Sequence, residues 1–406
     1  MPKQQFVWFR ALASVACCIA AFSQLTASAA GATEKVIHAF KGGNDGENPY
    51  AGLITDGAGN AYGTTDGTVF KLTKDRKESV LYAFKGGSDG AAPHGALMLD
   101  ASGNLYGTTL AGAGTGCGGY GCGTVFKLAP NGKETILYAF QGGSDGFQPV
   151  SNVVMDQSGN LYGTTAAGGA FNSGCSSEGC GTIFEVQPNG TKITLYQFQG
   201  GTDGEGPTGP LIADSAGNLF GTTEGGGGCA LGGCGTVFEL TPGGQESILY
   251  AFQGGNDGLG PFGGVIMDST GNLYGTTEFV GTEEGGVCCG VVFEIPAGGG
   301  SEKVLYSFRG GSDGANPLAG VVMDANGNLY GTTEIGGGNG KSCKHAGCGT
   351  VFELTPKGKE TVLFAFSPRH GQLPEAPLLI GKNGNLYGTA TQGGAHKDGV
   401  LFEVKK

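Results

Sequence analysis

The sequence predicts an all-β fold, a seven-bladed β-propeller with four-stranded antiparallel blades, and three observations carry that prediction. A six-residue phrase, Asn104-Leu105-Tyr106-Gly107-Thr108-Thr109 in its clearest copy, returns along the whole chain, with its aromatic residue at Tyr62, Tyr106, Tyr162, Phe220, Tyr274, Tyr330 and Tyr387. The copies are spaced by roughly 55 residues, a period that belongs to propellers and solenoids. Within each unit, short β-branched and aromatic runs alternate with turn residues, and helical periodicity is absent. Composition agrees: the 85 glycines show no collagen-like period, and 39% hydrophobic with only 14% charged residues describes a packed chain rather than a disordered one.

Taken in order, residues 1–29 read as a secretory signal peptide. Lys3 and Arg10 flank the start of an apolar stretch over 11–22, and Ala27-Ser28-Ala29 offers a small-residue cleavage site. That stretch falls short of the ~20 apolar residues that a membrane-spanning helix needs. Cys17 and Cys18 lie inside it, where a lipoprotein site would lack its usual leucine-like start. Residues 30–406 then form a single propeller domain. The full chain carries 23 basic and 35 acidic side chains, a formal net charge of −12, and loss of the leader removes only basic ones. An acidic surface repels phosphate backbones and anionic lipid, so the charge argues against nucleic acid and membrane surfaces as partners.

One unit shows four strand-like runs of five or six residues, over 95–100, 104–109, 123–128 and 135–140. Between the first two stands Asp-x-x-Gly-Asn, at Asp56, Asp100, Asp156, Asp214, Asp268 and Asp324. There glycine takes φ > 0 and the carboxylate accepts turn amides, which makes a tight hairpin. After the fourth run comes Gly-Gly-x-Asp-Gly-x-x-Pro, with Asp45, Asp89, Asp145, Asp203, Asp257 and Asp313; the seventh copy has decayed to Ser367-Pro368-Arg369-His370-Gly371. A parallel β-helix would show coils of ~20 to 25 residues without hairpin signals.

The phase of the repeat predicts how the ring closes. The first run after the leader, over 35–40, matches the fourth strand, while the last, over 399–404, matches the third. The final blade therefore lacks its outer strand, and the N-terminal run supplies it.

Asn-Leu-Tyr-Gly-Thr-Thr, Gly-Thr-Val-Phe-x-Leu and Leu-Tyr-Ala-Phe-x-Gly-Gly-x-Asp-Gly together resemble the GloVer (Gloeo/Verruco) tandem repeat of secreted bacterial proteins, over residues 35–404. Asp-x-x-Gly-Asn-Leu-Tyr also resembles the NHL and two-component-regulator propeller repeats. The resemblance implies a propeller and export; it brings no established activity and no catalytic residues.

Eight cysteines fall as Cys-x4-Cys ahead of the third strand: Cys117/Cys122, Cys175/Cys180, Cys229/Cys234 and Cys343/Cys348. In an exported chain such pairs read as disulfides within each loop. Zinc would need four ligands converging, which one pair per blade does not offer. Cys288-Cys289 occupies the same place without a spacer, and a vicinal disulfide there needs a strained eight-membered ring.

Two readings compete for Asp45, Asp89, Asp145, Asp203, Asp257 and Asp313. They are either ligand-binding carboxylates on the cysteine-loop face, able to hold Ca²⁺ or a cationic ligand, or turn caps that bond backbone amides. One carboxylate per loop is thin for calcium, which takes 6–8 oxygens. The Asp-x-x-Gly-Asn aspartates are read as structural. His94, at the mouth of a central strand, is the histidine best placed to meet a ligand; His38, His345, His370 and His396 show no metal or triad spacing. Gly-x-Ser-x-Gly at Ser88, Ser144 and Ser312 lacks the strand-to-helix turn of a nucleophile elbow. Gly340-Lys341-Ser342 lacks the first glycine and the helix of a phosphate loop. Lys341, Lys344 and His345 facing Glu283 and Glu284 read as a solvated charge pairing.

The function these features support is a monomeric, secreted (extracellular or periplasmic) binding or structural module. Its loops face an extracellular ligand, polysaccharide or protein, with no cofactor, no metal and no catalytic residue expected. The alternative is an extracellular glycan lyase or hydrolase, which demands non-repeated His, Tyr, Arg or carboxylates converging at the channel mouth.

Overall fold

The computed structural model describes residues 32–114, 116–229, 233–281, 287–338, 343 and 347–406. The leader over 1–29, Gly340-Lys341-Ser342, and the pairing of Lys341, Lys344 and His345 with Glu283 and Glu284 lie outside the described residues. Seven four-stranded antiparallel sheets follow one another around a ring. The second blade shows the pattern: Met98–Leu99 innermost, then Leu105–Thr109, Thr124–Leu128 and, outermost, Glu134–Ala139. No described helix is long and apolar enough to cross a membrane.

One expectation is corrected at the centre. The innermost run does not form a strand of five or six residues; in the second blade only Met98 and Leu99 pair, with Tyr106 and Leu105. The reason is crowding near the axis. A Cβ on Gly95 would sit 2.5 Å from the carbonyl oxygen of Ser151 in the next blade. That carbonyl accepts a hydrogen bond from the Thr108 hydroxyl at 2.7 Å, so the backbone here bonds to a neighbouring blade rather than to its own sheet. The first threonine of Thr-Thr repeats this elsewhere: Thr276 donates to the Ala319 carbonyl at 2.8 Å, and Thr389 of the last blade to Ala51 of the first at 3.2 Å.

Between blades the core is a chain of edge-to-face phenylalanines. The outer-strand Phe of one blade meets the third-strand Phe of the next, as in Phe140 with Phe184 and Phe198 with Phe238, at centroid distances of 5.1 and 5.2 Å. A bulge in the third-to-fourth strand pairing, where Val125 faces Tyr138 but Phe126 faces Ile136, skips Leu137. Leu137 and Tyr138, consecutive in sequence, both pack on the core shared with the third blade.

The ring closes as the repeat phase predicts. Thr33–Ala39 pairs with Val400–Lys405, from Thr33 opposite Lys405 to Ala39 opposite Val400, and the Phe40 amide donates to the Gly399 carbonyl at 3.0 Å. Phe40 then stacks on Phe70 of the first blade at 5.4 Å, completing the aromatic chain.

Candidate functional site at the channel mouth

Six of the seven innermost strands are entered through the connector Gly-Gly-x-Asp-Gly-x-x-Pro, and the seventh through its decayed copy; the connector pairs with the residue after Thr-Thr of its own blade. The Leu110 amide donates to the Ala92 carbonyl, Glu224 to Gly206, Glu278 to Gly260 and Glu334 to Asn316. The residue after Thr-Thr thus lies opposite the residue before the connector proline, close to where the chain turns into the innermost strand. Proline and threonines recur, but the positions that follow them do not. After proline stand Tyr50, His94, Val150, Thr208, Phe262, Leu318 and Glu375; after Thr-Thr stand Asp66, Leu110, Ala166, Glu224, Glu278 and Glu334, and after Thr389-Ala390 in the last blade Thr391.

The mouth is therefore asymmetric. On one side His94 Nε2 lies 2.7 Å from Asp66 Oδ1, and the Asn48 amide group donates to Asp66 Oδ2 at 3.1 Å. The Tyr50 ring lies 4.6 Å from the His94 ring, tilted by 44°. His94 is 9% exposed and Asp66 36%, so the aspartate is the open end of this pair. On the other side, three consecutive blades supply Glu224, Glu278 and Glu334, the last two buried. Burial, and then the negative charge of Glu205, push the Glu224 carboxyl up to about 7.

Among the sequence candidates, His94 lies in this mouth. Asp45, Asp89, Asp145, Asp203, Asp257 and Asp313 lie instead beside the outer strands. Asp89 accepts the Lys85 amide at 3.0 Å and the Tyr82 hydroxyl at 3.0 Å; Asp257 accepts the Gln253 amide at 2.8 Å and the Tyr250 hydroxyl at 2.9 Å. The Asp-x-x-Gly-Asn carboxylates sit in the hairpins. Asp100 Oδ1 accepts the Ser102 and Asn104 amides, both at 2.8 Å, while Oδ2 accepts the Asn104 side chain and the Tyr106 hydroxyl. Ser88 lies in a short 3₁₀ turn, Gly87–Asp89, with no helix after it. A groove of about 630 Å³ opens between the fifth and sixth blades near Met267, Asp268, Met323 and Asp324, but its lining is mostly the repeated hairpin residues. Repetition marks framework, so the mouth, with its non-repeated residues, is the better candidate.

Sequence reasoning passed over Tyr50, Asp66, Glu224, Glu278, Glu334 and Glu375. The available signal was their variability beside fixed neighbours, but only the contact of His94 with Asp66 shows that residues of the two sets meet, and it does so across a blade boundary.

The cysteines pair as Cys117–Cys122, Cys175–Cys180, Cys229–Cys234, Cys343–Cys348 and, vicinally, Cys288–Cys289. They brace the same face. The Cys122 carbonyl accepts the Gln148 amide of the next connector at 3.2 Å, and Cys180 and Cys234 do the same for Gly206 and Gly260. Five such pairs point to an oxidising, non-cytoplasmic compartment.

The sequence matches the model of the Gloeobacter/Verrucomicrobia repeat three times, over residues 21–176, 66–233 and 227–406. No protein of curated function matches it. Among solved structures, a streptogramin B lyase is similar over 92% of this chain and 97% of its own, with 14% identity and a TM-score of 0.58. The virginiamycin B lyase of Staphylococcus aureus is similar over 92% and 99%, with 13% identity and a TM-score of 0.60. The extracellular domain of a hybrid two-component system from B. thetaiotaomicron gives 14% identity and a TM-score of 0.51, over 88% of this chain and 39% of that one. At such identities the likeness concerns the fold alone.

Proposed function

The chain belongs to the Gloeobacter/Verrucomicrobia repeat family, and from that premise we propose that it is an exported binding module, residues 30–406 behind a cleaved leader, that takes its ligand at the channel mouth. The observation that carries this reading is that non-repeated side chains gather there while the rest of the ring repeats. Tyr50 and Phe262 offer faces on which a sugar ring can stack, and the carboxylates offer acceptors for hydroxyl and amino groups. Asp66, the open carboxylate of the mouth, repels anions, so the ligand is a neutral or amine-bearing polysaccharide rather than an acidic one. Titration calorimetry with neutral, amine-bearing and uronic-acid oligosaccharides tests it. His94→Ala and Asp66→Asn should each weaken binding by about tenfold or more, the loss of one or two charge-assisted hydrogen bonds. Preference for the acidic sugars, or binding untouched by both substitutions, would sink it.

A second reading is favoured by one contact. A histidine held 2.7 Å from a carboxylate, beside a tyrosine, is the arrangement of a general base with its orienting group. Two lyases share the ring. In that reading Asp66, the open end of the pair, takes a proton from bound substrate while His94 orients the carboxylate. Time-dependent product release from the same oligosaccharides, lost in His94→Ala, would establish turnover; binding without product leaves the module reading standing.

A further inference from the structure

The corners where successive blades meet can be compared position by position. At most of them the carboxylate of the Gly-Gly-x-Asp-Gly turn faces a glutamate that opens the outer strand of the next blade, as Asp89 faces Glu134 and Asp313 faces Glu360. A tyrosine hydroxyl completes the corner.

Two corners differ. In one, Lys192 replaces the glutamate, and its ammonium group, only 3% exposed, lies 3.0 Å from Asp145 Oδ1, 2.8 Å from the Asp145 carbonyl and 2.6 Å from the Thr194 hydroxyl. The fold thus accommodates a buried positive charge at this place. In the other, where the closing N-terminal strand meets the first blade, His38 replaces the tyrosine. His38, Asp45 and Glu78 there present one ligand atom each, all within 4.8 Å of one another. Glu78 Oε1 is shut off from solvent and has no hydrogen-bond partner among the described residues, as is also true of Glu134, Glu246, Glu302 and Glu360 at the ordinary corners, so the imidazole of His38 is what sets this corner apart.

We propose that this corner is a Zn²⁺ site, with His38 Nε2, Asp45 and Glu78 as ligands and solvent completing a tetrahedral shell. The imidazole is the reason to choose zinc over calcium or magnesium, which favour all-oxygen shells. The cation takes the place that Lys192 fills in the third blade, and it satisfies the buried Glu78 oxygen. It also joins three segments, the closing strand, its connector and the outer strand of the first blade, so the ion staples the seam of the ring. The site is separate from the channel mouth and does not depend on what binds there.

The test is uptake of zinc chloride by the metal-stripped, disulfide-oxidised protein, read by calorimetry and melting temperature. His38→Tyr installs the residue carried at the other corners, so the variant should fold. It should bind one equivalent of zinc fewer than the unaltered protein and lose the zinc-dependent rise in melting temperature. Glu78→Gln should weaken that equivalent at least about tenfold. Tyr82→His should add an equivalent, because it places an imidazole beside Asp89 and Glu134. Equal zinc uptake and equal melting shifts in the unaltered protein and His38→Tyr overturn the proposal. So does calcium matching zinc in stabilising the unaltered protein.

Discussion

At the scale of single residues, the glycine of Asn-Leu-Tyr-Gly-Thr-Thr explains why the phrase recurs. A Cβ on Gly221 would lie 2.6 Å from Phe238 Cζ and 2.9 Å from a Leu211 methyl, and the other copies meet their own third-strand phenylalanine in the same way. The ring cannot withdraw, because it also stacks on the preceding blade. Gly221→Ala is therefore predicted to cost about 1–3 kcal/mol by overpacking, whereas at Gly57 a Cβ meets nothing within 4 Å and alanine should be neutral. Urea midpoints at unchanged m separate the two. Titration supplies a second prediction. Burial, and then the facing aspartate, push Glu134, Glu246 and Glu302 up to about 7 and Glu360 to about 8. A carboxyl raised in the folded state contributes fully below its unfolded value and loses that contribution as pH rises through the folded one. The hairpin carboxylates act oppositely. Burial raises Asp268, but hydrogen bonds from Thr270 and Asn272 outweigh it and hold the group at about 2, so its contribution is lost in acid. Melting temperature should peak near pH 4 to 5 and decline towards pH 8, and Glu302→Gln with Glu360→Gln should flatten that decline. A profile unchanged by the pair would refute the assignment.

At the scale of elements, the cysteine loops and the strands they precede hold by different means. Each Cys-x4-Cys bridge closes a ring of six residues, worth ~2 kcal/mol on the chain-entropy model. The loop is also tied to the next connector through the carbonyl of its second cysteine, which reduction leaves in place. Reduction is thus predicted to lower the melting temperature while leaving the far-UV β signal intact. Alkylation of the unreduced protein should label none of Cys117, Cys175, Cys229 and Cys343; labelling of any of them counts against these bridges in solution.

At the scale of the whole molecule, closure makes the seam equivalent to an internal interface. Phe40 on Phe70 and Phe308 on Phe352 are the same contact, at 5.4 and 5.1 Å, and both Phe40 and Phe308 are buried. Phe40→Ala and Phe308→Ala should therefore each cost about 3–5 kcal/mol, measured by denaturant titration. A cost at Phe40 below about 1 kcal/mol would show that the N-terminal strand does not seal the ring in solution. Deleting residues 30–41 would expose the edge of Val400–Lys405, and aggregation should follow.

The sequence by itself determined the blade count, the strand order and the closing partner of residues 35–40. Those follow from local periodicity and from the phase of a repeated phrase, which survive without coordinates. It also placed the hairpin aspartates, because the turn that needs them is only five residues long. Only the tertiary structure decided that the innermost strands pair over so few residues, because the competing partner of their backbone is a threonine one blade away. Only it joined His94 to Asp66, 28 residues earlier, and His38 to Asp45 and Glu78 across the seam. Those groupings lie where neighbouring blades meet through packed phenylalanines, as Phe40 meets Phe70 at the seam, and no linear spacing records how blades meet.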